Sequence, residues 1–251
     1  METINLNRKT VAAKMTMFKR GFTVGFPIML GYIPIAITYG VLAKQAGLSL
    51  MELTLMSVLV FAGASQFMGA NMIALGAGAV EIIIATFVLN FRHFVMSLSF
   101  MNRLREVDLK WKFPLSLGLT DETFAVSSLH TNEAKEEKGF LFYGALTLTA
   151  YLSWVIGSFL GGVLGEVIPE TLSQSMGIAL YAMFIGLLIP KAKESSTAFY
   201  LTLLAAGISS LLYWGPPPLS TLAKGWKLII TTILVCTAGT LLFPEEVVKD
   251  E

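Results

Sequence analysis

The chain has 251 residues, of which 55% are hydrophobic and 14% charged, far below the roughly 25% charged residues of an average soluble domain. A formal charge of +1, from 18 basic and 17 acidic side chains, argues against a nucleic acid partner. The single Cys236 excludes an intrachain disulfide and a cysteine-rich metal site, and no cofactor is expected.

A bilayer core about 30 Å thick needs about 20 mostly apolar residues per spanning helix, and runs of that length recur along the chain. Residues 1–20 carry Arg8, Lys9, Lys14, Lys19 and Arg20, which mark a cytoplasmic segment by the positive-inside rule. The apolar run after them is too long for a signal-peptide core and reads as an uncleaved first span. Uninterrupted spans are predicted at 22–43, 80–101, 139–165, 171–189, 197–214 and 226–243. Two further apolar segments are broken: 53–77 by Gly63-Ala64-Ser65-Gln66, and 113–128 by Thr120-Asp121-Glu122-Thr123. The expected fold is all-α, a polytopic transmembrane bundle of six to eight membrane segments that include interrupted or re-entrant helices. It forms one domain over 21–244, followed by a short cytoplasmic tail at 245–251.

Charge tests the broken segments, because orientation follows Lys and Arg near span ends. If both dip into the membrane and return, fourteen cations fall inside against three outside, Lys44, Lys224 and Lys227, with Arg92 inside a span. If both cross, the split becomes ten against seven. Charge therefore favours return, whereas length permits the first to cross. Tyr213, Trp214 and Trp226 bracket Gly215-Pro216-Pro217-Pro218, as expected of interfacial aromatics beside a helix-breaking turn, which would be extracytoplasmic. Gly157, Gly161 and Gly165 repeat at a spacing that lets two membrane helices approach closely.

Chemistry concentrates at three places. Gly63-Ala64-Ser65-Gln66 breaks an apolar segment, and non-helical backbone at membrane depth needs protein or a watery cavity to satisfy it. A half-helix starting after Ser65 would aim free N–H groups at an anion such as a carboxylate; tight packing of small residues explains Gly63 and Ala64 equally well. Asn90, His93 and Ser97 share one stripe of a helix, and Arg92 beside them stands near mid-span, where a charge costs roughly 2.5 to 3.5 kcal/mol and needs a cavity or a partner. Asp121 or Glu122 could be that partner. A carboxylate that loses water binds its proton more tightly, which suits either acid to proton uptake and release, with His93 as a relay, or to pairing with an ammonium. An exposed turn capped by Thr120 is the simpler alternative.

At these places the sequence resembles the AzlC family, the large subunit of branched-chain amino acid exporters. The likeness rests on Phe61-Ala62-Gly63-Ala64-Ser65-Gln66, Asn90-Phe91-Arg92-His93 and Leu119-Thr120-Asp121-Glu122-Thr123-Phe124, in that order. The basic start, and Gly25-Phe26-Pro27 leading into Gly31-Tyr32-Ile33-Pro34, agree with it. It runs from about 19 to 243, the second half by hydropathy alone. The resemblance implies ion-coupled export of valine, leucine, isoleucine and similar apolar amino acids through the cytoplasmic membrane, with a small AzlD-type membrane subunit as partner. It brings no residue-level site. The physical reading therefore assigns Gly63, Ser65, Gln66, Asn90, Arg92 and His93 to substrate, and Asp121 and Glu122 to proton coupling. An intramembrane hydrolase built on Ser65, His93, Asp121 and His130 lacks the Gly-x-Ser-x-Gly elbow. A passive channel or structural subunit would show flux insensitive to uncouplers, or none.

Overall fold

The computed structural model describes residues 2–104, 107–136, 138–168, 185–186, 188–190, 192–222 and 224–243, with side chains from Met15 on apart from those of 103, 224 and 225. Among them all regular structure is helical. Four helical stretches are long and apolar enough to cross a membrane: Met15–Gln45, Ala79–Asn102, Gly139–Leu164 and Ser196–Trp214. Most of the predicted span 171–189 lies outside the described residues.

Helix α1 (Glu2–Gln45) joins the basic segment and the first span without a break. Helices α2 (Leu50–Leu59) and α3 (Gly63–Ala74) are the halves of the first broken segment, and α4 (Ala79–Arg103) carries the mid-span charge. Helices α5 (Leu109–Leu117) and α6 (Asp121–Leu129) are the halves of the second, which begins earlier than predicted. A 3-10 turn at Thr131–Lys135 leads into α7 (Gly139–Leu164). Helices α8 (Ser196–Trp214) and α9 (Lys224–Leu242) follow.

Contacts along α1 and α7 run in the same order. Gly21 lies on Phe142, Gly25 on Leu146, Ala36 on Gly157 and Lys44 on Gly165, so the two helices are parallel. Their backbones touch where glycines remove side chains: a Cβ on Gly161 would stand 2.1 Å from the Ile37 carbonyl oxygen, and one on Gly40 2.1 Å from that of Ser158. Apolar burial gives little push inside lipid, so this close van der Waals fit is what joins them. Gly161→Val should separate α1 from α7, since overpacking a well-packed core costs about 1 to 3 kcal/mol. A melting temperature in detergent equal to the parent's would refute that account.

Both broken segments turn back. In the first, Gln66 of α3 donates through Nε2 to Ser57 Oγ of α2 at 2.9 Å, and Gly69 lies beside the Met56 methyl. Tyr39 touches both limbs, donating to the Leu53 carbonyl at 3.4 Å and packing 5.6 Å from the Phe67 ring. Leu50 and Leu53 lie on Gly162 near the end of α7, while the turn reaches Tyr151, whose hydroxyl donates to the Val58 carbonyl at 2.8 Å. In the second, Trp111 stacks on Phe140 near the start of α7, 4.3 Å between centroids, and Gly118 reaches Thr147. The chain then returns, so that the His130 carbonyl accepts from Tyr143 at 2.6 Å. The charge-based reading of two returning segments agrees with this arrangement. Length alone would make the first one cross, but the non-helical backbone at Val60 and Ala62 reverses the chain instead.

Between the hairpins α4 runs opposite to α7. Ala85 near its start clusters with Met72 and Ile229, and Phe100 near its end packs 5.6 Å from Tyr143. Hairpin α2–α3 thus enters from the side where α1 ends, and hairpin α5–α6 from the side where α1 begins. Helices α8 and α9 form an antiparallel pair, with Tyr200 facing Phe243 and the Lys227 ammonium 4.6 Å over the Tyr213 ring.

Candidate functional site

The two hairpin turns come together in the middle of the bundle and enclose a cavity of about 290 Å³, near the lower end of the range for small-molecule sites. Ala62, Gly63 and Ala64 face it from one turn, and Thr120, Asp121 and Glu122 from the other. Arg92 and His93 close one side, while Tyr32, Ile35, Phe61, Trp154 and Leu188 form an apolar wall.

The turns differ in polarity. Helix α3 begins at Gly63 after Ala62, which provides no side-chain cap, so the first N–H groups of α3 have no intrahelical acceptor and concentrate the positive end of the helix dipole. This start lies three residues before the predicted one. Ser65 sits inside the first turn because its hydroxyl donates to Asn90 Oδ1 instead of capping. A Cβ on Gly63 would stand 2.6 Å from the Trp154 ring, which is why the smallest residue occupies this turn.

Helix α6, by contrast, carries a side-chain capping box. The Thr120 hydroxyl accepts from the Thr123 N–H while the Thr123 hydroxyl accepts from the Thr120 N–H. The sequence admits a capped turn and a functional acid pair as alternatives, and the cap is present together with both acids at the cavity. Arg92 Nη1 donates to Asp121 Oδ2 at 2.7 Å, and the two side chains are 44% and 43% exposed on the chain. Glu122 Oε2 and Thr120 Oγ1 both contact the Tyr32 hydroxyl. The two neighbouring acids are thereby separated: Asp121 is matched to a fixed cation, whereas Glu122 bonds a phenol.

Of the predicted site residues, Gly63, Arg92, His93, Asp121 and Glu122 line the cavity. Ser65 and Asn90 lie behind it, joined to one another. Gln66 lies away from the cavity lining: it is fully buried, with its amide nitrogen donating to Ser57 and its oxygen accepting from Trp154 Nε1 at 2.7 Å. Ser97 reaches the Ser116 carbonyl at 3.2 Å, so the polar stripe of α4 is divided between both hairpins. The Ser65 hydroxyl is engaged by an amide, not an imidazole, and His130 packs on Phe142 instead. Among the described residues no three His, Cys, Asp or Glu side chains stand together as metal ligands.

Tyr32 and Trp154 complete the cavity, although no motif points to Trp154 and Gly31-Tyr32-Ile33-Pro34 enters the family likeness without giving Tyr32 a role. Trp154 has a legible signal, since a tryptophan at mid-span is out of place when membrane tryptophans favour the interfaces. Tyr32 has a weaker one, as a phenol two residues before Pro34 in an apolar run that also holds Thr23, Thr38 and Tyr39.

Comparison with known proteins adds a second line. Residues 27–168 match the family described as AzlC protein, a stretch that holds both hairpins. The chain is 34% identical over 228 residues to a membrane protein of Archaeoglobus fulgidus, covering 85% of this chain and 97% of that one. It is 28% identical over 200 residues to the branched-chain amino acid transport protein AzlC of Bacillus subtilis, covering 79% and 77%. It is 25% identical over 206 residues to the inner membrane protein YgaZ of Escherichia coli, covering 80% and 83%. No solved structure matches it.

Proposed function

This chain belongs to the AzlC family, a family of membrane transport, and on that premise we propose that it exports branched-chain and similar apolar amino acids across the cytoplasmic membrane, driven by a proton gradient. The observation that carries the reading is the opposite polarity of two helix starts across one small cavity. The uncapped start of α3 suits a carboxylate, Glu122 at the start of α6 suits an ammonium, and the wall of Ile35, Phe61, Trp154 and Leu188 suits an aliphatic side chain. A zwitterion with an apolar side chain satisfies all three at once.

The side on which α1 begins also carries Lys19, Arg20, Lys110, Lys112, Lys135 and Lys138, whereas Lys44 and Lys227 lie at the other. That asymmetry supports a cytoplasmic N-terminus. The remaining element of the reading is a small AzlD-type membrane subunit as partner, which the family resemblance implies.

The test is efflux of radiolabelled leucine and valine from cells or proteoliposomes containing this chain with and without the small subunit, under an imposed pH gradient. Efflux that requires both proteins and collapses with an uncoupler is expected. Equal efflux from protein-free vesicles would sink the reading, and flux indifferent to the uncoupler would favour a passive channel.

A further inference from the structure

The element boundaries repeat. A shift of 58 residues (103 less 45) carries the end of α1, Gln45, onto the end of α4, Arg103; the same shift carries the end of α2, Leu59, onto the end of α5, Leu117, and the start of α3, Gly63, onto the start of α6, Asp121. Because α1 and α4 run in opposite directions and their hairpins enter from opposite sides, the two units are inverted copies. Each is one spanning helix followed by one returning hairpin.

The same shift carries Tyr32 onto Asn90. Each bonds the hairpin of the other unit, at or within the first turn of its second helix: Tyr32 holds Thr120 and Glu122 of α5–α6, and Asn90 holds Ser65 of α2–α3. Neither bond is needed to build a helix or cap one. Their shared effect is to tie each hairpin turn to the helix across the cavity.

We propose that Tyr32 and Asn90 are matched positioning residues that set which face of the membrane the cavity opens to, each holding one hairpin shut. Tyr32 latches the α5–α6 hairpin, whose two ends lie on the side where α1 begins. Asn90 latches the α2–α3 hairpin, whose ends lie on the opposite side. Release of one latch frees one turn to withdraw toward its own side while the other stays closed, and the inverted repeat makes the two movements equivalent. Inverted repeats with interrupted helices at the bilayer midplane are a known basis for alternating access. The inference rests on the transport reading, but it predicts sidedness of access, which is measured without substrate.

The experiment uses Ala64→Cys at the cavity wall in a Cys236→Ser background, in oriented membrane vesicles of both polarities, labelled with a membrane-impermeant maleimide. Tyr32→Phe keeps the ring against Phe61 and Trp154 and removes only the hydroxyl. It should raise the labelling rate from the side where α1 begins and lower it from the other, by about tenfold for one bond to a charged group. Asn90→Ala should do the reverse. Glu122→Ala and Ser65→Ala remove the same contacts from the hairpin side and should reproduce the respective shifts, which separates latching from any damage special to the first two variants. Labelling that rises from both faces together, or that stays unchanged in all four variants while they elute as monodisperse protein, overturns the proposal. Clear opposite sidedness without amino acid transport would keep the latches and retire the substrate reading instead.

Discussion

Glu122→Gln should abolish transport driven by a pH gradient while amino acid exchange across balanced membranes persists at a raised KM, because the amide oxygen still accepts from the substrate ammonium but no longer balances its charge. The substitution keeps size and reach toward Tyr32 but removes titration. Asp121 lies next to it in sequence, yet its surroundings differ, because a guanidinium 2.7 Å away already balances its charge with a permanent cation. Glu122 has no cation bonded to it among the described residues. Its carboxylate meets the hydroxyl of Tyr32, which also contacts Thr120, and hydroxyls can serve a neutral or a charged partner. On the proposed proton-coupled reading, Glu122 is therefore the acid to test first as the proton carrier.

Measured in proteoliposomes with both subunits, the parent should accumulate labelled leucine against its gradient and Glu122→Gln should not. Both should equilibrate label under exchange conditions. If Glu122→Gln retains gradient-driven transport with the parent's pH profile, Glu122 is not the carrier. His93, which lines the same cavity, is then the next group to replace.

How much of this can be read from the residues differs by element. The long spans are legible because apolar length is a direct physical demand of the bilayer, and α4 and α8 match their predicted bounds within two residues. The broken segments are visible as breaks, and cation counting favours their return, because Lys and Arg between them have to lie on one side. The inverted repeat is not legible. Its equivalent positions hold different chemistry, tyrosine against asparagine and Gly63 against Asp121, since each unit faces the cavity with its own polarity, and only the helix boundaries preserve the relation. Gln66 is ambiguous for a related reason: a lone amide in an apolar segment signals burial with partners, and sequence alone does not distinguish a substrate from Ser57 and Trp154.

Arg92→Ala should damage the protein more than any other single change at the cavity. It leaves Asp121 beside Glu122 with no compensating charge, so two carboxylates share one helix start and repel both one another and the carboxylate of an incoming amino acid. Removing one partner of a buried pair costs about 3 to 5 kcal/mol, whereas a pair in water is worth about 1 kcal/mol or less. With both side chains more than two-fifths exposed on the chain, the pair stands between these limits, and what covers it decides which applies. A double-mutant cycle of Arg92→Ala and Asp121→Ala, read in stability and in leucine efflux, measures this directly. A coupling near about 1 kcal/mol would describe a water-filled cavity, and one near about 3 kcal/mol a dry surface covered by protein or lipid. In either case the double variant should recover part of the function lost in Arg92→Ala, because net charge at the turn is restored. Strict additivity of the two single changes in both readouts would mean that the ion pair contributes nothing, and Arg92 would have to be assigned to the substrate itself.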